Sequence, residues 1–255
     1  MLTIKDARAL AQENGFSELL TLPHASPKLV KSTGVYNCGI SLLPDKRSGH
    51  SVCPSSTPMC RKGCFGNFGR AEFLSSINVA RMARTRLLFS DRELFFAILL
   101  TELLRADRKA KRLGVPVAFR PNILSDLPWH VWLEDWINGQ LAHWNWYGYT
   151  KMQKYLVAET PMHFTYSWSE RNVFSDVLSL TAQGINVAIP FYDIRTLQPT
   201  IPEFWYGIPV WNGDKSDLRY LDPSGCIVGL KAKLPKSIEK RRTVLRESNG
   251  FFVGV

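Results

Sequence analysis

Met162-His163-Phe164-Thr165-Tyr166-Ser167-Trp168-Ser169 is the stretch from which the fold is read. Its side chains alternate. His163, Thr165, Ser167 and Ser169 fall on one side of an extended chain, and Phe164, Tyr166 and Trp168 on the other, because successive residues of a strand point to opposite faces. A helical stretch, Val173 to Gln183, comes next, and then a second strand, Ile185 to Ile189, that stops at Pro190. Strand, helix and strand at this spacing predict two parallel strands joined by a right-handed crossover.

The same rhythm extends in both directions. Upstream lie a strand at Val115 to Asn122, a Trp-rich helix at Val131 to His143, a strand at Trp144 to Lys151 and a short helix around Gln153 to Glu159. Earlier still, Ile4 to Asn14 reads as a helix and Val35 to Leu43 as a first strand ending at Pro44. Ala71 to Leu113 is a long helical region, and Ser90-Asp91-Arg92-Glu93 is a capping pattern that breaks it in two. Downstream, Ile208 to Trp211, Leu218 to Leu221 and Cys226 to Leu230 read as strands, the last two joined by a hairpin turn at Asp222-Pro223-Ser224-Gly225. The expected fold is α/β, a parallel (β/α) barrel or partial barrel with a C-terminal β-hairpin extension. One domain is expected over 1–255, with an N-terminal helix and connection at 1–34, a core at 35–230 and a basic C-terminal tail at 231–255.

The strongest chemical signal lies after the first strand. Cys53, Cys60 and Cys64 are three of only five cysteines in 255 residues, separated by six and then three residues in a loop of Pro, Ser, Thr and Gly. Such a loop lets thiolates converge on one point, and soft sulfur ligands select zinc or an iron–sulfur cluster. Three sulfurs leave a coordination position open, which favours chemistry; a structural zinc completed by Cys38 or His50 is the alternative. An odd cysteine count fits a reducing compartment, and the N-terminal residues lack an apolar signal core. No run of about 18 apolar residues occurs. A cytoplasmic protein without a membrane span is expected.

The net charge is +10. Basic residues cluster at Arg61, Lys62 and Arg70, at Arg81, Arg84 and Arg86, between Arg105 and Arg112, and along Lys231 to Arg246. A positive field of this kind favours polyanions, nucleic acid first. Polar residues gather at the expected strand ends, where barrel enzymes keep their functional groups. They are Arg120, Asn122 and Asp126 after one strand, Lys151 after the next, Ser167, Ser169 and Glu170 after a third, and Asp214 near the last ones. Helix capping and surface ion pairs are the plainer explanation for several of them. Phosphate-binding loops, dinucleotide glycine motifs, nucleophile elbows and the nucleobase-deaminase zinc signature are all missing.

A first strand, a three-cysteine loop and repeated strand–helix units together resemble the radical S-adenosylmethionine enzymes. That superfamily spaces its cysteines by three and two residues, where this chain has six and three, and Arg120-Pro121-Asn122 stands in place of its Gly-Gly-Glu stretch. The resemblance implies a [4Fe–4S] cluster on Cys53, Cys60 and Cys64, with zinc as the alternative metal. It also implies S-adenosylmethionine as a cofactor and an electron-donor protein as a partner. Arg120, Asn122, Ser167 and Ser169 would then contact the cofactor, and Asp126, Glu170, Lys151 and Asp214 are the candidate catalytic groups.

A closer resemblance, from about Tyr36 onward, is to uncharacterised phage and plasmid proteins of bacterial hosts. It rests on the cysteine loop with Gly66 to Arg70, on Ser125 to Trp129, on Tyr149 to Lys151, on Ser167 to Asn172 and on Gly213 to Lys231. The expected function is a radical-type iron–sulfur enzyme acting on a nucleic acid or nucleotide. The alternatives are a non-radical, metal-containing base-modifying enzyme, and a zinc-stapled DNA- or RNA-binding protein without catalysis.

Overall fold

The computed structural model describes residues 2–25, 29, 32–64, 75–157, 160–248 and 250–255. Its first elements are α1 (Ile4–Glu13), β1 (Leu20–Thr21), β2 (Tyr36–Ile40), α2 (Pro58–Lys62), α3 (Ser75–Ser90) and α4 (Arg92–Leu113). There follow β3 (Val117–Arg120), α5 (Trp129–Trp132), α6 (Glu134–Asn138), β4 (Asn145–Thr150), β5 (His163–Ser167) and α7 (Phe174–Ala182). The last are β6 (Val187–Tyr192), β7 (Phe204–Trp205), β8 (Ile208–Asn212), β9 (Ile227–Lys231), α8 (Ile238–Glu247) and β10 (Val253–Gly254). The fold is mixed α/β with mostly parallel strands. Two compact units divide the chain, residues 1–54 with 73–148 and residues 55–72 with 149–255.

In the first unit β2 pairs antiparallel with β1 and parallel with β3, from Tyr36↔Val117 to Gly39↔Arg120, and β3 pairs parallel with β4. Every residue of β3 is buried, as a parallel strand covered on both faces requires. α4 lays Phe95, Ile98, Leu99, Leu103, Ala106 and Ala110 into the core at helical spacing. The break between α3 and α4 falls where the capping pattern predicts it. Asp91 accepts from the Leu94 N–H at 2.9 Å and so starts a new helix. Gly114, at φ +65°, ends it in the left-handed region.

In the second unit β6 is the shared strand. It runs parallel to β5 (Tyr166↔Val187, Ser167↔Ala188), to β9 over five residues, and to β10 (Val253↔Phe191, Gly254↔Tyr192). The aromatic face of β5 is buried as expected, and Thr165 on its other face is buried as well. Tyr166 and Trp168 join Val177 and Leu180 of α7, together with Val187, Ile189, Phe191, Trp205 and Ile227, in one buried cluster. β8 runs parallel to β9 and turns back on β7 through Tyr206 and Gly207, whose φ values of +48° and +79° make a two-residue hairpin turn.

Four expectations need correction. Leu218 to Leu221 is no strand: Arg219–Leu221 is a 3-10 turn, so β9 has no hairpin partner before it and pairs with β6 and β8 instead. The reason is Arg219, fully buried in the middle of that apolar run. Its guanidinium donates to the Gly213 carbonyl (3.1 Å) and the Ser216 carbonyl, and it pairs with Asp222 (3.1 Å), which curls the segment. The second correction concerns β6, which continues through Pro190 to Tyr192. Alternation of its backbone turns the Pro190 nitrogen to the side that β5 occupies up to Ala188 and β10 occupies from Phe191. The missing N–H falls between two partners.

Third, the Trp-rich helix is two short ones broken at Leu133, which adopts φ −116° and ψ 21°. Fourth, only Gln153–Tyr155 of the expected helix at 153–159 is helical, as a 3-10 turn; 158 and 159, like Gly66 to Arg70 and Ala71 to Leu74, lie outside the described residues.

A polar cluster in the first unit is built round a mostly buried carboxylate. Asp107 of α4 accepts from Lys111 Nζ (2.7 Å), His143 Nε2 (2.7 Å) and Trp144 Nε1 (3.0 Å). Burial works against the carboxylate, but these hydrogen bonds outweigh it and hold its pKa at about 2, below the ordinary 3.8. A carboxyl with a depressed folded pKa contributes stability that is complete above the unfolded value and is lost as pH falls through the folded one. Denaturation midpoints are therefore expected to drop between about pH 4 and about pH 2, and Asp107→Asn is expected to flatten that part of the profile.

Gly39 gives a test of the β2–β3 contact. A Cβ there would run into the Arg120 carbonyl oxygen and the Ile123 side chain. Backbone cannot retreat as a flexible side chain does, so Gly39→Ala should destabilise by about 1–3 kcal/mol in urea unfolding. A neutral result would show that the two strands are not so closely apposed.

Candidate functional site

The first unit holds Cys53 and the loop after β3. Cys53 Sγ lies 3.4 Å from the Leu124 carbonyl, and the Asp126 N–H donates to the Val52 carbonyl at 2.8 Å. The chain at the cysteine is thus stitched to the loop that carries Asp126. Asn122 builds that loop. Its Oδ1 accepts from Ser125 Oγ (2.7 Å), Leu127 N (3.0 Å) and Trp129 Nε1 (2.9 Å), and its Nδ2 donates to the Leu127 carbonyl (2.9 Å). Those bonds engage both ends of the carboxamide, so its role here is to shape the loop. Arg120 is buried beside it, with Nε 3.4 Å from the Asn122 carbonyl, and Asp126 is buried as well.

The second unit holds Cys60 and Cys64. Cys60 lies on α2, which opens with Thr57 as N-cap and Pro58 in its first turn. The Thr57 hydroxyl accepts from Cys60 N at 3.0 Å and donates to Glu170 Oε2 at 2.6 Å, while Glu170 Oε1 stands 3.4 Å from Met59 N. A carboxylate at a helix N-terminus satisfies free N–H groups and meets the positive end of the helix dipole. Glu170, just past β5, therefore anchors the turn of helix that bears Cys60.

Lys151 reaches the end of the same strand. Its ammonium donates to the Ser167 carbonyl (3.0 Å), the Ser167 hydroxyl (3.3 Å) and the Trp168 carbonyl. Lys151, Ser167 and Glu170 are thus brought together around β5. Ser169 turns away from them: its N–H and hydroxyl both donate to Asn172 Oδ1. Asp214 is a loop brace, accepting from Lys231 N (3.3 Å) and pairing with Lys233 (3.8 Å).

The C-terminal segment is the part that sequence reasoning missed. A basic tail is expected there, yet Phe251 and Phe252 lie against Gly63, where a Cβ would stand 2.5 Å from the Phe251 ring and 3.1 Å from the Phe252 ring. Trp168 Nε1 donates to the Gly250 carbonyl at 2.8 Å, and Lys62 pairs with Glu247 at 3.8 Å. The helix start at Thr57 was readable, since a Thr followed by Pro is an N-cap and first-turn pair.

The five cysteines divide by environment. Cys38 is fully buried on β2, its thiol aimed at the Ala118 carbonyl (3.7 Å), and burial pushes its pKa far up. Cys226 is half-buried, and burial followed by the charge of Asp222 pushes it up to about 11. Both stay protonated at neutral pH. Cys53, Cys60 and Cys64 are partly exposed, as Cys226 is, and none of the five forms a disulfide. His50 stacks on Phe89 at 4.5 Å. Among the described residues no group of three or more His, Cys, Asp or Glu side chains stands close enough to hold a metal ion. No described helix is long and apolar enough to cross a membrane.

A family model described as Gene product 88 matches residues 6–247. The chain belongs to the gene product 88 family. No curated protein and no solved structure matches it. The match fits the expected likeness to phage proteins and brings no radical S-adenosylmethionine family with it. The family's description names no activity.

Removing the Glu170 carboxylate tests the anchoring of α2. Glu170→Ala should weaken the first turn of α2 by about 1–2 kcal/mol, the range of a lost cap and a charged hydrogen bond. Amide hydrogen exchange at Met59 and Cys60 should then rise by about tenfold, a factor that corresponds to about 1.4 kcal/mol. Unchanged exchange at both amides would remove Glu170 from this role.

Proposed function

We propose that this protein is an iron–sulfur enzyme of radical S-adenosylmethionine-like type, with Cys53, Cys60 and Cys64 as cluster ligands and a nucleic acid or nucleotide as substrate. The observation that supports this is the clustering of Cys53, Cys60 and Cys64, all partly exposed, within twelve residues of the chain, whereas Cys38 and Cys226 lie elsewhere with their pKa values raised by burial. A thiol must lose its proton to bind a metal. The donor chemistry of the loop fits a soft metal or cluster, and the placement of Cys38 in a strand core argues against a zinc closed by that residue. The proposal also carries the expectation of a parallel (β/α) barrel or partial barrel, whose reacting groups stand at the strand ends.

The chain's own residues take distinct parts in it. Glu170 is a positioning residue, since its carboxylate is spent on Thr57 and α2. Lys151 is likewise a positioning residue, its ammonium donating to the Ser167 carbonyl and hydroxyl and to the Trp168 carbonyl at the end of β5. Arg120 and Asp126, buried at the end of β3, supply a cation for an anionic group and a carboxyl for proton transfer. The cluster, when bound, would supply the electron for reductive cleavage of S-adenosylmethionine. The buried carboxyl of Asp126 also favours a second reading, a zinc-containing base-modifying enzyme in which that group is nucleophile or base.

Anaerobic purification followed by iron, sulfide and zinc analysis and electron paramagnetic resonance separates the two. A brown protein with iron and sulfide is expected. Cys60→Ala should lose the iron and Cys226→Ala should keep it. Equal loss in both variants, or a colourless wild type holding zinc, would overturn the iron–sulfur assignment.

A further inference from the structure

The residues after α8 are fastened to the second unit at both ends. At the near end the Gly250 carbonyl accepts from Trp168 Nε1 at 2.8 Å. At the far end Val253 and Gly254 form β10 beside Phe191 and Tyr192 of β6. The ladder runs on through Val255, whose N–H donates to the Tyr192 carbonyl (3.0 Å) and whose carbonyl accepts from the Ile194 N–H (3.1 Å). Terminal residues fray unless they are tied down in this way.

Between the two fastenings the chain meets α2. Gly63 ends that helix, next to Cys64 and three residues after Cys60. Its φ of −82° is one that any residue adopts, so the backbone does not call for glycine. The Phe251 ring does, because an added Cβ would stand 2.5 Å from it. Lys151 Nζ lies over the same ring, 5.5 Å from its centroid, within the reach of a cation–π contact. Gly250 packs on Glu170, where a Cβ would come within 3.3 Å of the Glu170 Cβ. Residues 250–251 therefore touch the end of α2 and both of the charged side chains that meet around β5.

We propose that residues 250–255 form a strap whose closure over α2 is linked to the binding of a metal by Cys60 and Cys64. The inference rests on the reading of those cysteines as metal ligands and adds the element that controls them. A helix of five residues does not hold its own shape, so the order of its cysteines is supplied by what packs on it. A metal that binds the ordered helix better than the loosened one favours the closed strap. By linkage the closed strap favours the metal by the same factor. Phe251 is the positioning residue of the device, since its ring is the part of the strap in closest contact with Gly63.

The test uses the full chain, stripped of metal under anaerobic conditions and titrated with Zn²⁺ against a chromophoric chelator, with Cys60→Ala as the blank. Hydrogen exchange is followed at the Ile194 and Val255 amides, which report the strap through its ladder to β6. Zn²⁺ should slow both amides by about tenfold in the wild type, and Phe251→Ala should weaken Zn²⁺ binding by about the same factor. Phe251→Tyr, which keeps the ring edge, should bind as the wild type does. Val228→Ala, a truncation of a fully buried side chain on β9, should melt at a lower temperature and keep its Zn²⁺ affinity. Amides that exchange alike with and without Zn²⁺, or wild-type affinity in Phe251→Ala, would overturn the strap while leaving the cysteines as ligands. An equal loss of affinity in Val228→Ala would overturn it too, because general stability would then account for the effect. A wild type that binds Zn²⁺ no better than the blank would overturn the reading of the cysteines as ligands, and the linkage with it.

Discussion

Parallel pairing is the constraint on which the rest of this molecule depends. Two parallel strands cannot be joined by a tight turn, so the chain must cross back over the sheet before each new strand. Within each unit that requirement brings the C-terminal ends of β2 and β3, or of β5, β6, β8 and β9, to the same side. The loops that leave those ends carry the polar residues. The chain at Cys53 meets the loop of Asp126, and Glu170 leaves the end of β5, for this topological reason before any chemistry is considered.

Short polar contacts then convert loops into defined geometry. Asn122 holds the loop after β3 through four hydrogen bonds. Thr57 and Glu170 do the same for α2, a helix of five residues, too short to be stable by its own hydrogen bonds. It stands because its N-terminus is capped and because Phe251 and Phe252 close over Gly63. The thiol of Cys60 is thereby held on a helix supported from two sides, which is the local order a metal ligand or reactive group needs.

Several expected functional residues turn out to have architectural work, and the distinction is a physical one. Asn122 and Ser169 have their polar atoms engaged within their own loops, and Asp214 steadies the chain after β9. Lys151 and Glu170 also make internal contacts, but theirs meet around β5 and α2. Some of the charge has architectural work too: Arg84 and Arg105 are drawn toward Glu18, and Arg241 folds back onto the Pro235 carbonyl.

The period-two pattern of Met162 to Ser169 and the helical stretch behind it were enough to establish parallel α/β structure, because burial of alternate faces is a local property of the chain. The α3–α4 break at Asp91 was legible for the same reason, since a cap acts within three residues. The cysteine loop stood out by composition alone. Tertiary structure decided what no local pattern encodes. Leu218 to Leu221 looks like a strand until Arg219 is seen buried against Gly213, Ser216 and Asp222. The C-terminal residues look like a basic tail until β10 pairs with β6 and Phe251 meets Gly63. That Cys38 and Cys226 stay protonated, and that Arg84 and Arg105 turn to Glu18, depends on neighbours distant in the chain. Desolvation and pairing are set by neighbours in space, and the order of residues alone does not name them.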